Sequence, residues 1–346
     1  MIESLEIQLK KGVFIVAEMS SNHNGSLKIA IETIKAAKRA GASAVKLQTF
    51  KPDSMTLNSN AKDFIINNGT IWDGQSLYKL YKKAQTPWEW HSKLFKVAND
   101  QGLICFSSPF DRLSVDFLES LNCPIYKIAS FEITDIPLIE YIASKGKPII
   151  LSTGIAKLED IYLALETIRS KSKNKVFLLK CTSSYPAPVE EANLYTMSDF
   201  KKKFDIIPGL SDHTLGIEVP IVATALGARI IEKHIILDKK INSLDNSFSL
   251  DEKEFSNMVR SIRIAEKSLG KISYELTDKQ VNGRNFSRSL YVIKNVKKGE
   301  LISMENVKSI RPGYGIHPKF LKEILGKKFK VDVIKGTALS KELFIE

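Results

Sequence analysis

The sequence has few cysteines and no long hydrophobic run. Its 346 residues include three cysteines, Cys105, Cys123 and Cys181, which are an odd set without close spacing. This pattern argues against a disulfide framework and a zinc cluster, and it favours a reducing compartment, so we expect a cytoplasmic protein. No stretch of about 18 apolar residues is present, which argues against a membrane span. Residues 1–12 are polar and lack the apolar centre of a signal peptide.

Features typical of nucleic-acid or dinucleotide binding are also missing. The formal net charge of +12 at pH 7 makes nucleic acid the first partner to consider. However, the chain has no basic cluster interleaved with aromatic residues and no helix-turn-helix pattern, so scattered surface lysines explain the charge. We therefore predict neither a nucleic-acid nor a membrane partner. No glycine-rich dinucleotide fingerprint follows the first strand-like segment.

Short apolar segments alternate with helical segments along most of the chain. The predicted strands are residues 13–20, 44–50, 103–110, 125–130, 148–153, 176–183, 207–212 and 229–236. Alternation this regular predicts an α/β fold, a (β/α)8 TIM barrel, with an open doubly wound sheet as the alternative. We predict a barrel domain at residues 1–275, a linker at 276–285 and a small C-terminal domain at 286–346. Residues 51–86 form an insertion, which we interpret as a partly packed lid.

Polar residues lie in or just after all eight predicted strands. They are Glu18, Lys46, Gln48, Ser107, Ser108, Lys127, Ser130, Glu132, Ser152, Thr153, Lys180, Thr182, Ser183, Ser211, His213, Glu232 and His234. In a barrel the carboxyl ends of the strands form one face, where catalytic residues are found. The pattern therefore predicts an active site at that face.

Two histidines end neighbouring strands. Because side chains alternate along a strand, Glu232 and His234 share one face, and Lys233 takes the other. His213 ends the preceding strand. Two imidazoles with oxygen ligands suit Mn²⁺, or Mg²⁺ or Co²⁺, better than a closed zinc site, so we predict a divalent metal here. The alternative is a pair of hydrogen-bonded core histidines.

Two lysines in buried strands predict an anion site. Lys46 and Lys127 can form a cradle for phosphate or carboxylate together with Ser107, Ser108, Ser130, Ser152 and Ser211. One lysine could instead be a Schiff-base nucleophile. Glu18 is a candidate general acid or base, or alternatively an ion-pair partner of a lysine. Cys181 is interpreted as a small packed residue rather than a nucleophile. A phosphate cradle beside a metal predicts carbon–carbon bond formation on a sugar or aldehyde.

Several short motifs carry a resemblance to a known family. They are AEMSSNHNG at 17–25, VKLQT at 45–49, FSSPF at 106–110, YKIASFE at 126–132, STG at 152–154, CTSSYP at 181–186, GLSDHT at 209–214 and EKH at 232–234. Through them the chain resembles the sialic acid synthase family along nearly its whole length. The tail, with RPGYG at 311–315, resembles the antifreeze-like (SAF) domain of these synthases.

Within the family, two regions are most similar to the synthases that form pseudaminic acid. They are TFKPDSMTLN at 49–58 and the segment 77–91. The resemblance implies condensation of phosphoenolpyruvate with 2,4-diacetamido-2,4,6-trideoxy-β-L-altrose, giving pseudaminic acid and phosphate. Ser183 stands where N-acetylneuraminate synthases typically have Asn, which weakens a simple sialate assignment. N-acetylneuraminate or legionaminate synthesis, a metal-dependent barrel aldolase or hydrolase, and a non-enzymatic sugar-binding protein are the alternatives.

The resemblance also implies roles for individual residues. The catalytic carboxylates would be Glu18, which handles protons, together with Glu132 and Glu232. Mn²⁺ would be bound by His213 and His234. The substrate-binding residues would be Lys46, Gln48, Ser108, Lys127, Ser130, Ser152, Ser183, Tyr185, Ser211, Asp245 and Arg311. The family also implies a domain-swapped homodimer, in which Arg311 reaches the partner's active site.

Overall fold

The chain divides into two compact units. The computed structural model describes residues 5–67, 69, 71–173 and 175–345. The first unit extends to Gly270, and the second begins at Lys271. The outermost residues of the predicted domains, Met1 and Glu346, lie outside the described residues. No helix in the described ranges has the length and apolar character needed to cross a bilayer.

Eight parallel strands of the first unit close into a barrel in chain order, with the last strand beside the first. The predicted (β/α)8 barrel is therefore confirmed. The strands are β1 Phe14–Glu18, β2 Ala44–Thr49, β3 Ile104–Pro109, β4 Tyr126–Ile128, β5 Ile149–Ser152, β6 Val176–Cys181, β7 Ile207–Asp212 and β8 Ile230–His234.

The strands are apolar because the barrel buries both of their faces. Every residue of β1 and β8 is buried, although each strand ends in polar residues. This explains why the strands read as continuous apolar runs rather than as alternating ones. The register places Glu18 opposite both Lys46 on β2 and His234 on β8. The polar ends of neighbouring strands therefore meet at one end of the barrel.

Several helices pack against the strands of the barrel, and the longest shows the single apolar stripe by which such helices pack. The longest helix buries Phe255, Met258, Val259 and Ile262, which recur at the spacing of one helical face. The helices of the first unit are α1 Leu5–Lys11, α2 Leu27–Arg39, α3 Pro52–Met55, α4 Leu77–Ala84, α5 Trp88–Asp100, α6 Arg112–Ser120, α7 Ile136–Ala143, α8 Leu158–Lys171, α9 Thr196–Phe204, α10 Glu218–Ala225 and α11 Glu252–Leu269.

The insertion at residues 51–86 is more ordered than its loop-like sequence indicates. It contains α3 and α4, and the Ser76 side chain caps α4 by accepting a hydrogen bond from Lys79 N–H. Serine at this position satisfies a backbone donor that the helix itself cannot pair.

The second unit has its own small hydrophobic core. Strands β9 Ser289–Val292 and β10 Val307–Ile310 pair antiparallel. Its core residues include Leu290, Val292, Val307 and Phe329. The short helices are α12 Asp278–Gly283 and α13 Leu321–Ile324. Because α12 lies within residues 276–285, part of the segment that we predicted as a linker is helical.

Candidate active site

Four buried charged side chains meet at the carboxyl ends of the barrel strands. We call them the inner cluster, and they are Glu18, Lys46, Lys127 and Glu232. The Nζ atom of Lys46 lies 2.5 Å from Glu18 Oε2 and 3.6 Å from Glu232 Oε1. Lys127 Nζ lies 3.5 Å from the same Glu232 oxygen. Each charge therefore has an opposite charge nearby, which offsets part of the large penalty for burying it.

Burial and charge pairing shift the pKa values within the inner cluster. Burial raises the pKa of Glu18 to about 7, although Lys46 opposes the shift. Burial also acts against ionised Glu232, but Lys127 and Lys46 outweigh it and lower the pKa of Glu232. Burial lowers the pKa of Lys127, whereas Glu18 and Glu232 outweigh burial at Lys46 and raise its pKa. Glu18 is therefore the member suited to exchange a proton near neutral pH.

Serine hydroxyls lie around these charges. Lys46 Nζ donates to Ser108 Oγ at 3.5 Å, and Ser211 Oγ donates to Glu232 Oε1 at 3.0 Å. Ser152 ends β5, and its buried hydroxyl has no hydrogen-bond partner among the described residues. A buried polar atom without a partner marks a place where water or a ligand can bind. Gln48 lies opposite Ser108 in the register of β2 and β3.

A glycine allows two further serines to approach the backbone. The Gly154 N–H donates to Ser130 Oγ at 3.1 Å. A Cβ atom at this position would lie 2.0 Å from Ser183 Oγ and 2.7 Å from Ser130 Oγ. Any other residue would displace at least one of the two hydroxyls. Gly154 therefore brings together Ser130 and Ser183, which the sequence pattern placed after different strands.

Ser107 lies on the other side of the barrel wall. Its hydroxyl is 2.6 Å from Thr49 Oγ1, which is 2.8 Å from His91 Nε2 on α5. We expected Ser107 among the serines of the anion cradle, and this expectation is wrong. Because Ser107 and Ser108 are consecutive in β3, only one of them can face the inside of the barrel.

The two predicted metal-ligating histidines face each other. The ring centroids of His213 and His234 are 5.2 Å apart. His213 Nδ1 lies 3.1 Å from the carbonyl oxygen of Thr182, so this nitrogen donates and Nε2 keeps its lone pair in the neutral ring. Burial, with the positive charge of nearby side chains, lowers the pKa of His234 well below its usual value. His234 is therefore a neutral imidazole, the form that binds metals.

Cys181 has a contact that the sequence did not reveal. Its Sγ atom lies 3.8 Å from His213 Nδ1. Burial opposes ionisation of the thiol, but His213 outweighs burial and lowers the pKa of Cys181 to about 7. Burial would likewise lower the pKa of His213, but Cys181 raises it. Cys181 is thus more than a packed apolar residue, because it is an electrostatic partner of His213.

A divalent cation fits this pair of histidines as an open site. The described residues contain no group of three or more His, Cys, Asp or Glu side chains arranged to hold a metal. His234 Nδ1 is buried and has no hydrogen-bond partner within those residues. Two imidazoles could hold the ion, and oxygen atoms of water or substrate would complete its coordination. A closed structural zinc site would need four protein ligands.

Two carboxylates lie at the edge of the site. Asp245 Oδ2 accepts a hydrogen bond from Ser21 Oγ at 2.9 Å, and it lies 3.9 Å from His234 Nδ1. Glu132 belongs to the 3₁₀ turn Ser130–Thr134, and burial raises its pKa to about 7. Its Oε2 atom has no hydrogen-bond partner in the described part of the chain. Glu132 Oε2 is therefore available to a ligand, whereas Asp245 is held by Ser21 beside His234.

An aromatic wall stands beside the histidines. The Tyr185 ring centroid lies 4.6 Å from that of His213 and 5.4 Å from that of Phe248. Phe248 also packs against His234 at 4.9 Å, and Trp72 of the insertion lies 5.8 Å from Tyr185. Tyr185 was predicted as a site residue, whereas Phe248 was missed. The signal for it was a large aromatic residue in a polar loop directly after the last strand.

Arg311 belongs to the second unit, at a cis Arg311–Pro312 peptide bond. Its side chain is exposed within the described chain. The role expected for it in a partner's active site stays a prediction.

The barrel and the buried charges at its strand ends define a (β/α)8-barrel enzyme. More specifically, the chain belongs to the NeuB family, whose sequence model matches residues 33–274. A SAF domain model matches residues 287–345. The resemblance to sialic acid synthases and the assignment of the C-terminal domain are therefore confirmed.

Individual relatives match nearly the whole chain. The pseudaminic acid synthase of Campylobacter jejuni subsp. jejuni (strain 81-176) is 50% identical over 334 residues, covering 96% of this chain and 97% of that protein. The N,N'-diacetyllegionaminic acid synthase of Legionella pneumophila is 38% identical over 331 residues, covering 94% and 93%. The crystal structure of N-acetylneuraminic acid synthetase from Leptospira borgpetersenii, in complex with citrate, has a TM-score of 0.70 at 32% identity, covering 79% of this chain and 92% of that chain.

Proposed function

We propose that this chain is a pseudaminic acid synthase. It condenses phosphoenolpyruvate with 2,4-diacetamido-2,4,6-trideoxy-β-L-altrose to give pseudaminic acid and phosphate. The observation that carries this proposal is the 50% identity to the Campylobacter jejuni pseudaminic acid synthase over 96% of the chain. Identity to the Legionella pneumophila legionaminic acid synthase is lower, at 38%. Legionaminate or N-acetylneuraminate synthesis is the alternative within the same family.

The inner cluster supplies binding for phosphoenolpyruvate. Lys46 and Lys127 bind its phosphate and carboxylate, and the hydroxyls of Ser108, Ser130, Ser152 and Ser211 donate hydrogen bonds to the same oxygens. Glu18, whose Oε2 atom lies 2.5 Å from Lys46 Nζ, has a different role in the same part of the site. Glu18, with a pKa of about 7, accepts a proton from the water that adds to C2 of phosphoenolpyruvate.

The reaction balances without an outside oxidant or reductant. C3 of phosphoenolpyruvate forms a bond to the aldehyde carbon of the open-chain sugar, whose oxygen becomes a hydroxyl after protonation. Water adds at C2, and the resulting tetrahedral centre loses phosphate when its C–O bond breaks. Glu18, whose pKa is about 7, is the group of the inner cluster that can take up and release protons during these steps, and Glu232, whose pKa is lowered, stays ionised beside the two lysines.

His213 and His234 would hold a divalent cation, with Mn²⁺ as the expected ion. When bound, the ion supplies Lewis-acid polarisation of a carbonyl oxygen. The neutral state of His234 and its unpartnered Nδ1 support this assignment. Asp245 and Tyr185, which lie beside the histidines, orient the sugar.

The proposal is tested by phosphate release from phosphoenolpyruvate in the presence of Mn²⁺. The trideoxy-altrose acceptor, N-acetylmannosamine and a legionaminate precursor are offered in parallel. Release with the first acceptor alone supports pseudaminate synthesis. Release only with another acceptor keeps the synthase mechanism but rejects the acceptor. A barrel aldolase would show no phosphate release with any of them.

Two further properties stand as proposals from the family resemblance. The first is a cytoplasmic location. The second is a homodimer whose C-terminal domains are swapped, so that Arg311 of each protomer binds the sugar at its partner's site.

A further inference from the structure

An ion pair lies on the outer side of the barrel wall, behind the two histidines. Asp212 ends β7, Lys233 lies in β8, and the register makes them direct neighbours. Lys233 Nζ is 2.5 Å from Asp212 Oδ2, and the two side chains are 0% and 2% exposed. We call Asp212 and Lys233 the outer pair.

The outer pair includes the residue before His213, Asp212, and is bonded to the residue after it, Thr214. Lys233 Nζ also donates to the carbonyl oxygen of Thr214. Asp212 Oδ1 accepts hydrogen bonds from Thr214 N–H at 3.1 Å and from its hydroxyl at 2.9 Å. One ammonium group thus holds the residue before His213 and the residue after it. The same lysine directly precedes His234 in the chain.

Stability alone gives a poor account of this pair. A buried ion pair loses most of its attraction to desolvation, so well-packed apolar residues in its place are often as stable or more so. What an ion pair with several fixed hydrogen bonds does provide is a defined geometry. Metal ligands have to be held to within about 0.5 Å by surrounding residues. The two strands that the outer pair joins are those that carry His213 and His234.

We propose that Lys233 and Asp212 are positioning residues that fix the separation of His213 and His234 for binding a divalent cation. This inference rests on the proposed function, because it assigns the support of the proposed metal site. The outer pair does not touch substrate or metal. Its effect passes through the backbone of the strand ends that carry the two ligands.

The expected effect is selective for the metal. Residues that orient metal ligands typically contribute 10- to 100-fold to metal affinity. We therefore expect Lys233→Met to weaken Mn²⁺ binding by about that factor. The affinity for phosphoenolpyruvate, measured without metal, should stay within about twofold, because Lys46 and Lys127 lie on β2 and β4, and only Ser211 among the proposed ligands lies on a strand of the outer pair.

The experiment measures Mn²⁺ affinity by calorimetry and by the paramagnetic resonance of free Mn²⁺ on the full chain. Lys233→Met leaves a buried carboxylate and can impair folding. The double variant Asp212→Asn with Lys233→Met removes both charges and decides the question if the single variant does not fold. Thr49→Val is the matched control, since it removes a buried hydrogen bond on the outer side of β2, away from the histidines.

Weaker Mn²⁺ binding in the folded double variant, with unchanged phosphoenolpyruvate binding and an unaffected control, supports the proposal. Equal Mn²⁺ affinity in wild type and double variant would overturn it. Equal weakening of both ligands would also overturn it, because that result indicates a general loss of structure. His234→Ala separates a failure of the metal site from a failure of the positioning role. If it leaves Mn²⁺ affinity unchanged, the proposed metal site fails, and the positioning role fails with it.

Discussion

The inner cluster and the outer pair are both buried groups of opposite charges, but they differ in how completely they are bonded. In the outer pair, the protein itself provides partners for the charged atoms of Asp212 and Lys233. In the inner cluster, Glu18 Oε1 and Glu232 Oε2 have no hydrogen-bond partner among the described residues.

The difference indicates which charged residues serve ligand binding and catalysis and which support the structure. Buried polar atoms without partners are destabilising, so they persist where a ligand or water completes them. A fully bonded pair has nothing left to offer a ligand. The buried polar residues of this barrel can thus be divided into those with unsatisfied hydrogen-bonding atoms and those without. Matched substitutions on the inner and outer sides of the barrel wall test this division.

The largest effect is expected at Glu18. Glu18→Gln removes the proton acceptor but keeps the shape, so kcat should fall by about 10²- to 10⁴-fold. Steady-state phosphate release measures this loss. Glu119→Gln is the control, because Glu119 pairs with Lys147 at 2.6 Å away from the inner cluster. A similar loss in both variants would show that removing any paired carboxylate disables the enzyme.

The pH dependence of kcat/KM gives a second test of the role of Glu18 in the inner cluster. Because burial raises the pKa of Glu18 to about 7, its carboxylate form is lost as the pH falls through that value. We expect kcat/KM for phosphoenolpyruvate to fall with it, and the Glu18→Gln variant to lack this limb. A limb that persists unchanged in the variant would assign the titration to another group.

The next effect tests whether one chain holds a complete site. Arg311→Ala should lower turnover about 10- to 100-fold, the worth of a charge-assisted hydrogen bond. If the domains are swapped, mixing it with Glu18→Ala restores one intact site in each heterodimer. Random subunit exchange would then give about a quarter of wild-type activity. No recovery after mass spectrometry has verified the exchange would argue against a shared site.

A stability measurement can detect the free-energy cost of ionising the buried carboxyl group of Glu132. Burial raises the folded-state pKa of Glu132 from 4.5 to about 7, so the folded protein holds this proton more tightly than the unfolded chain. The stability due to the group is present below pH 4.5 and is lost as the pH rises through about 7. Glu132→Gln should therefore raise the free energy of unfolding at pH 8 by about 2 kcal/mol, since partial exposure screens the full shift.

Denaturant titrations at pH 8 and pH 4 measure this difference. The gain from Glu132→Gln should disappear at the lower pH. As a control, Asp116→Asn removes a carboxylate that Tyr141 and Lys145 contact on the surface, and it should not stabilise the protein at either pH. A gain that does not depend on pH would mean that packing, rather than charge, is responsible.

The smallest effect is expected at the aromatic wall. Trp72→Leu removes a ring contact with Tyr185, and such contacts contribute about 0.5–1.5 kcal/mol. We expect KM for the sugar to rise about two- to tenfold while KM for phosphoenolpyruvate is unchanged. Trp88→Leu, which disrupts a stack on Phe117 instead, is the control. Equal changes in both KM values would place the effect outside the sugar site.

The fold could be predicted because the barrel strands are short, β-branched and buried on both faces. The site could be predicted in outline because polar residues interrupt those runs at their carboxyl ends. Alternation along β8 also placed Lys233 on the other face of the strand from Glu232 and His234. The partner of Lys233 could not be predicted, because that requires the register of β7 against β8.

Two other features could not be predicted from the sequence pattern, for physical reasons. Ser107 and Ser108 are adjacent, so one must face outward, and only the three-dimensional register decides which one. Phe248 lies in a polar segment, and its contact with both histidines depends on how the loop after β8 folds back. Composition predicts that a loop is present, but not which of its side chains turns inward.

The closure of β1 against β8 has a consequence during protein synthesis. The Asn22 side chain, just after β1, donates to the carbonyl oxygen of Ile235, which lies 213 positions along the chain. As the chain leaves the ribosome, the edge of β1 that pairs with β8 has no partner until nearly all of the barrel has been translated. Glu18 meets Lys46 early, but it meets the strand of His234 only at closure. The active site can therefore be completed only after β8 has been synthesised, and a nascent chain that stops before β8 is without it.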